Sequence, residues 1–150
     1  MVLQEKFNVQ APIQKVWEFM IDLGRVASCM PGVEQVQALN PQTYQTAFKI
    51  KVGPFAARFN GQMTIQSVDE AQHRATMRVQ GRDDRLASSI QGILDLKLQE
   101  RSPEAVEVTV TMDLDFLGRL ELLARPLIKP KAGALMKEFI QQVQSRLDKA

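Results

Sequence analysis

Apolar residues recur at every second position through most of the chain after residue 33, and few architectures accept so long a run of that period. In residues 44–52, Tyr44, Thr46, Phe48, Ile50 and Val52 alternate with Gln45, Ala47, Lys49 and Lys51. After a Gly53-Pro54 turn, Phe55, Ala57, Phe59, Gly61, Met63 and Ile65 form the next inward row. His73, Ala75, Met77, Val79 and Gly81 follow beyond Asp69-Glu70. Leu86, Ser88, Ile90, Gly92, Leu94, Leu96 and Leu98 come after Asp83-Asp84, then Val106, Val108, Val110, Met112, Leu114 and Phe116 after Ser102-Pro103. Side chains on a strand alternate between faces, so this pattern predicts an antiparallel meander with one wet face and one buried face.

The flanks break the period. Residues 2–10 predict a first strand. Ala11-Pro12 then opens a short helix with Ile13, Val16, Trp17 and Met20 on one face. Asp22 is placed to cap a second short helix, which ends before the turn residues Cys29-Met30-Pro31-Gly32. From about Arg119 the spacing becomes helical, with Leu120, Leu123, Leu127, Leu135, Phe139, Val143 and Leu147 as its stripe. Pro126, Pro130 and Gly133 interrupt it, which predicts a kinked helix, or a short helix followed by a long one. One apolar stripe must cover one apolar sheet face. The expected fold is therefore α+β, with a curved seven-stranded antiparallel sheet wrapped around a long C-terminal helix. The length of 150 residues suits one domain, 1–150.

Three glycines, Gly61, Gly81 and Gly92, fall on the inward face of consecutive strands. Glycine weakens a strand and is found where a sheet bends or a backbone approaches closely. The expectation is a concave sheet with space beneath the helix. Its walls would be Phe48 and Ile50, then Phe59, Gly61 and Met63, then Met77, Val79 and Gly81. Ile90, Gly92, Leu94 and Met112 would continue them, with Leu123, Leu127 and Met136 from the helix. Methionine suits an irregular apolar guest, although a filled core uses the same residue types.

Catalytic and metal chemistry find little support. The chain has one histidine, His73, and one cysteine, Cys29, so no His/Cys zinc cluster can form, and neither metal nor cofactor is expected. Asp83-Asp84 reads as turn chemistry. The inward polar residues Tyr44, Thr46, Ser67, His73 and Ser88 offer no evident acid–base pair, which favours binding over catalysis. Net charge is +2, too small to imply a nucleic-acid partner. The last 32 residues carry seven of the basic side chains, Arg119, Arg125, Lys129, Lys131, Lys137, Arg146 and Lys149, against three acids. A solvated helix face has that composition, as does a helix that meets an anionic surface. The outer sheet face sets Lys49, Lys51, Arg58, Arg74, Arg78 and Arg82 beside Asp95, Glu107, Asp113 and Asp115, suited to cross-strand pairing or to an acidic partner. No apolar run approaches the ~20 residues of a membrane span, and no signal peptide is evident, so a cytoplasmic location is expected.

The order of strand, two short helices, meander and long helix resembles the helix-grip fold of START-type and birch-pollen-allergen-like proteins, which hold apolar ligands under the long helix. More narrowly, the chain resembles the G-subunit family of carbon monoxide dehydrogenase. Phe7-Asn8-Val9, Ala11-Pro12, Val16-Trp17, Asp22 and Cys29-Met30-Pro31-Gly32-Val33 carry the likeness, followed by Lys51-Val52-Gly53-Pro54, Phe59, Gly61, Gly81, Ala87-Ser88 and Gly92. The resemblance implies a non-catalytic accessory to a molybdenum-containing hydroxylase of the carbon monoxide dehydrogenase type. It implies a lipid- or quinone-like ligand and contact with the inner face of the membrane. It also implies a cavity mouth at Pro54, Phe55, Leu117, Gly118 and Leu120. Two alternatives stand beside it: an interaction module with a filled core, and an aromatase/cyclase-like enzyme, which the fold admits by analogy.

Overall fold

The computed structural model describes residues 1–148. Strand β1 (Val2–Val9) is followed by helices α1 (Ile13–Met20) and α2 (Leu23–Ala27). Strands β2 (Val33–Asn40), β3 (Thr43–Val52), β4 (Phe55–Asp69), β5 (Arg74–Asp83), β6 (Ser88–Ser102) and β7 (Ala105–Gly118) form the meander, and α3 (Arg119–Asp148) follows it. The seven strands make one antiparallel sheet in the order β1-β7-β6-β5-β4-β3-β2. The α+β architecture expected from the alternation is the one observed, in the helix-grip arrangement that the resemblance implies.

The register aligns the inward rows across strands. Thr46 faces Gly61, Gly61 faces Gly81, and Gly81 faces Ile90. The next row runs Met63, Val79, Gly92 and Leu114. A slip of one residue would turn every apolar side chain to solvent, so burial of one face fixes the pairing. Ser67 is an exception to the expected parity. The ladder shifts between Ile65 and Ser67, and Ser67 pairs instead with Thr76, their hydroxyls 2.6 Å apart on the outer face. One extra residue in a strand reverses the side chains beyond it.

The helices follow their local chemistry. The Asp22 carboxylate accepts the Arg25 N–H at 3.2 Å and caps α2. Helix α3 kinks at Ala124, whose φ of −126° and ψ of 17° leave the helical region. Pro126 has no N–H to donate to the Leu122 carbonyl, and its ring crowds that oxygen. The kink changes which face is buried. Leu120, Ala124 and Ile128 point inward, followed by Met136, Phe139, Val143 and Leu147. Leu123 and Leu127, expected on the buried stripe, are instead 55% and 44% exposed.

Two separate cores hold the layers together. The larger gathers Trp17, Phe139, Val143 and Leu147 over β1, β6 and β7. The smaller packs Leu120, Ala124 and Ile128 on Ile50, Val52, Ala57 and Phe59. Polar bonds fasten α3 near both ends. The Ser88 hydroxyl accepts the Leu120 N–H at 2.9 Å while donating to the Leu86 carbonyl. Gln144 donates to the Asn8 carbonyl at 2.8 Å, and Asp148 accepts the Gln10 N–H at 3.0 Å.

Asp83 secures the β5–β6 turn beside the first of these anchors. It is buried, and its two oxygens accept the Arg58 N–H at 2.7 Å and the Leu86 N–H at 3.0 Å. Burial pushes its carboxyl up, but those hydrogen bonds and the nearby Arg85 charge outweigh it and hold the group below the ordinary carboxylate range. Its folded value therefore lies below its unfolded value. The resulting stability is complete above the unfolded pKa of about 3.9 and is lost as pH falls through the folded value. Asp83→Asn is expected to lower unfolding stability by about 1–3 kcal/mol at neutral pH. Denaturant titrations from pH 7 to pH 3 should show a shallower acid loss in the variant than in the parent.

Candidate ligand-binding cavity

A straight helix laid on a concave sheet touches its ends and stands off its middle. Here α3 lies chiefly against β1, β7 and β3, and little against β4 and β5. Met63, Met77, Val79, Ile90 and Leu94 occupy inward mid-sheet positions and are nonetheless only half-buried. Between the two cores lies a semi-open cavity of about 270 Å³ with an overwhelmingly apolar lining. For scale, a dry cavity of about 150 Å³ is large enough for benzene.

Curvature makes this space, and glycine permits the curvature. A Cβ on Gly61 would stand 1.8 Å from the Gln80 carbonyl oxygen, so no side chain fits where β4 meets β5. Gly81, opposite it, leaves the floor bare between Phe59 and Ile90. Gly92 serves a different contact. Its Cβ would meet the Asp113 oxygen at 2.1 Å, so it allows β6 and β7 to close, and it lies outside the cavity wall.

Of the fifteen residues expected to line the cavity, the walls contain Phe48, Ile50, Phe59, Gly61, Met63, Met77, Val79, Gly81, Ile90, Leu94, Met112 and Met136. Leu123 and Leu127 do not line it, because the kink at Ala124 turns them outward. Ile128, Ala132, Leu135 and Phe139 take their place on α3. A second group was missed altogether. Met20 of α1, Leu23, Val26 and Ala27 of α2, Met30 after it, and Val33 and Val36 of β2 form a side wall. Their short apolar pattern was legible, but nothing local says that α2 folds over the cavity.

The expected mouth also needs correction. Pro54, Phe55, Leu117, Gly118 and Leu120 do not line the cavity. Leu120 is buried in the smaller core, against which Phe55 packs, so this end is plugged. Gly53, at φ 58°, lets the β3–β4 turn pass beneath Leu127, whose Cδ1 would lie 2.6 Å from an added Cβ. Leu117 points to solvent beside Gly118, whose φ of 95° starts the turn into α3.

Polar groups are sparse inside. Thr46 is the one inward-facing hydroxyl among the lining residues. Ser88 is committed to capping α3. His73 sits at φ 52° in the β4–β5 turn, edge-on to Trp17 with centroids 5.4 Å apart, and outside the cavity. Burial pushes the Cys29 thiol up, against the smaller pull of Arg146 and Ser28, and it is no activated nucleophile. Asp84 pairs with Arg82 while Asp83 faces inward to backbone N–H groups, so the hairpin aspartates do not converge. Among the described residues no three His, Cys, Asp or Glu side chains gather as a metal site. Nor is any helix among them long and apolar enough to cross a membrane.

The outer sheet face carries a depression of similar size, about 280 Å³, walled by Lys6, Arg74, Lys97, Asp95 and Glu107. Ion pairs occupy this face: Arg58–Glu34 at 2.8 Å, Arg74–Asp95 at 3.1 Å and Arg101–Glu107 at 2.9 Å. Such exposed pairs contribute about 0–1 kcal/mol each. The depression is walled by long hydrated side chains, unlike the preformed apolar lining beneath α3.

Residues 6–148 match the family model of the carbon monoxide dehydrogenase G-subunit, CoxG. The chain belongs to that family. A search of curated proteins gave no match. Among solved structures, this CoxG-family chain resembles a conserved protein from Geobacillus kaustophilus, with a TM-score of 0.87 and 13% identity over 99% of this chain and 96% of that one. A START superfamily protein from Mycobacterium smegmatis superimposes with a TM-score of 0.72 and 12% identity, over 99% and 97% of the two chains. The Zhui aromatase/cyclase from Streptomyces sp. R1128 gives 0.71 and 15%, over 99% and 93%. Identities this low establish the shared fold alone.

The close approach at Gly61 gives this CoxG-family fold a sharp test. Gly61→Ala is expected to lose about 1–3 kcal/mol, because backbone on the neighbouring strand must move. Gly133→Ala, in a helical position with nothing within 4 Å of an added Cβ, should gain up to about 1 kcal/mol. Chemical denaturation of both variants separates the two kinds of glycine.

Proposed function

We propose that this CoxG-family protein is a non-catalytic carrier. It holds a small apolar molecule of the lipid or quinone kind beneath α3 and serves a molybdenum-containing hydroxylase of the carbon monoxide dehydrogenase type. The observation that carries the reading is the half-buried state of inward residues in the middle of the sheet, above all Met63, Met77 and Val79. Apolar side chains left unpacked inside a folded protein forgo dispersion contacts and hydrophobic burial, and a guest restores both. The cavity is sized and lined as ligand pockets are, at the small end of their range. Family membership supports the partner and a cytoplasmic site of action.

Enzymes share this fold, so catalysis is the natural rival. It fits the chemistry less well. A cyclase-like reaction needs acid and base groups around the substrate, whereas His73 and Ser88 stand apart from the space where a substrate would sit. A filled interaction module fits less well too, since the interior has room.

The direct check is native mass spectrometry and solvent extraction of the purified protein, paired with Val79→Trp to fill the space. The parent should release an apolar molecule or bind an environment-sensitive naphthalene dye. The variant should bind the dye at least tenfold more weakly, about 1.4 kcal/mol, with unchanged circular dichroism. Equal dye binding by both proteins would remove the cavity from the function.

Peripheral contact with the membrane's inner face is the second reading, and it rests on one patch. Leu117, Leu122 (74% exposed), Leu123 and Leu127 lie near Arg119, Arg125 and Lys129 at the start of α3. An exposed apolar cluster rimmed by cations suits an anionic lipid surface. Lys149, counted with the basic residues of this segment, lies outside the described residues. Sedimentation with anionic vesicles should pellet the parent, and Leu122→Asp/Leu123→Asp should cut the bound fraction severalfold. Pelleting unaffected by the two aspartates would discard the patch.

A further inference from the structure

The cavity wall holds a single feature that a purely greasy container does not need. Thr46 lies inward on β3, opposite Val36 on one side and Gly61 on the other. Gly61 adds no side chain to that wall, the Gln80 carbonyl oxygen filling the place a Cβ would take, and Thr46 itself borders the cavity. The Thr46 hydroxyl has no hydrogen-bond partner among the described residues. Gln62, Gln80 and Asp95 also border the cavity, but the register turns their side chains to the outer face, where Asp95 meets Arg74. Among the described residues, no Lys, Arg or His lines the space.

We infer that Thr46 orients the guest by hydrogen-bonding one uncharged oxygen at its end, and that the cavity selects neutral, singly anchored apolar molecules. A hydroxyl can donate to a carbonyl or accept from an alcohol, so ketones, quinones, esters and alcohols all satisfy it. A carboxylate or phosphate would enter without a counter-charge, and an unpaired buried ion is disfavoured by far more than one hydrogen bond returns. The guest's oxygen lies near β2 and β3, and its apolar body extends beneath α3 toward Leu94 and Phe139. The hydroxyl is accessible from the cavity and not sealed off, so a guest's oxygen replaces solvent as its partner.

This inference rests on the carrier reading, and the test separates the two. The probes are tetralin and 1-tetralone, bicyclic molecules that differ by one carbonyl, titrated by calorimetry or dye displacement. The parent should bind 1-tetralone about fivefold to tenfold more tightly than tetralin. Thr46→Val keeps the shape and loses the hydroxyl. It should keep the affinity for tetralin, lose the preference, and melt at the same temperature or higher. Thr46→Ser should retain the preference. A preference that survives Thr46→Val, or its absence in the parent, overturns the role of Thr46 and leaves the carrier reading standing. Binding of neither probe by the parent overturns both.

Discussion

Everything in this molecule follows from how a helix can rest on a concave sheet. The two surfaces have different curvature, so contact concentrates where the sheet rises to meet the helix. At one end Phe139, Val143 and Leu147 bury themselves over β1, β6 and β7. At the other, Leu120, Ala124 and Ile128 sit on β3 and β4. Each core is apolar and large enough to hold its end in place. What remains between them is the cavity.

This division gives each end its own stabilising chemistry. The far end is tied by Gln144 to Asn8 and by Arg146 to Ser28. The near end depends on a compact polar knot. Asp83 closes the β5–β6 turn, Ser88 caps the helix, and the Arg119 N–H reaches the Ala87 carbonyl. Ala87 accepts a positive φ of 46° and Gly118 one of 95° to bring these groups together. A side chain on Gly118 would meet the Ala87 carbonyl oxygen at 2.1 Å, so the junction tolerates only glycine there. The left-handed backbone at Ala87 and Gly118 and the buried Asp83 carboxylate are thus placed at the anchor, away from the cavity.

A space held open by distant anchors is preorganised. A guest of the proposed kind would not have to pry the layers apart, and its binding would forfeit little conformational entropy of the protein. The α2–β2 wall is the softer side, since β2 is an edge strand with mostly exposed residues and α2 has five residues. The kink at Ala124 and the paired prolines weaken α3 beside the cavity and not over the larger core.

The sequence by itself determined the layers. Alternation on β3 to β7 fixes which residues face inward, since a strand has only two faces, and Gly61 with Gly81 announces the bend. The family resemblance was also legible in short ordered motifs such as Cys29-Met30-Pro31-Gly32. Tertiary structure alone decided how the helix lands. Leu123 and Leu127 fit the apolar stripe as well as Ala124 and Ile128 do, and only the rotation at the kink chooses between them. It also decided that Leu120 plugs one end and that α2 walls the side, because both are contacts between segments far apart in the chain. Periodicity reports the face a residue presents to its own element. It carries no information about the distance to the layer opposite, and that distance is what makes a cavity.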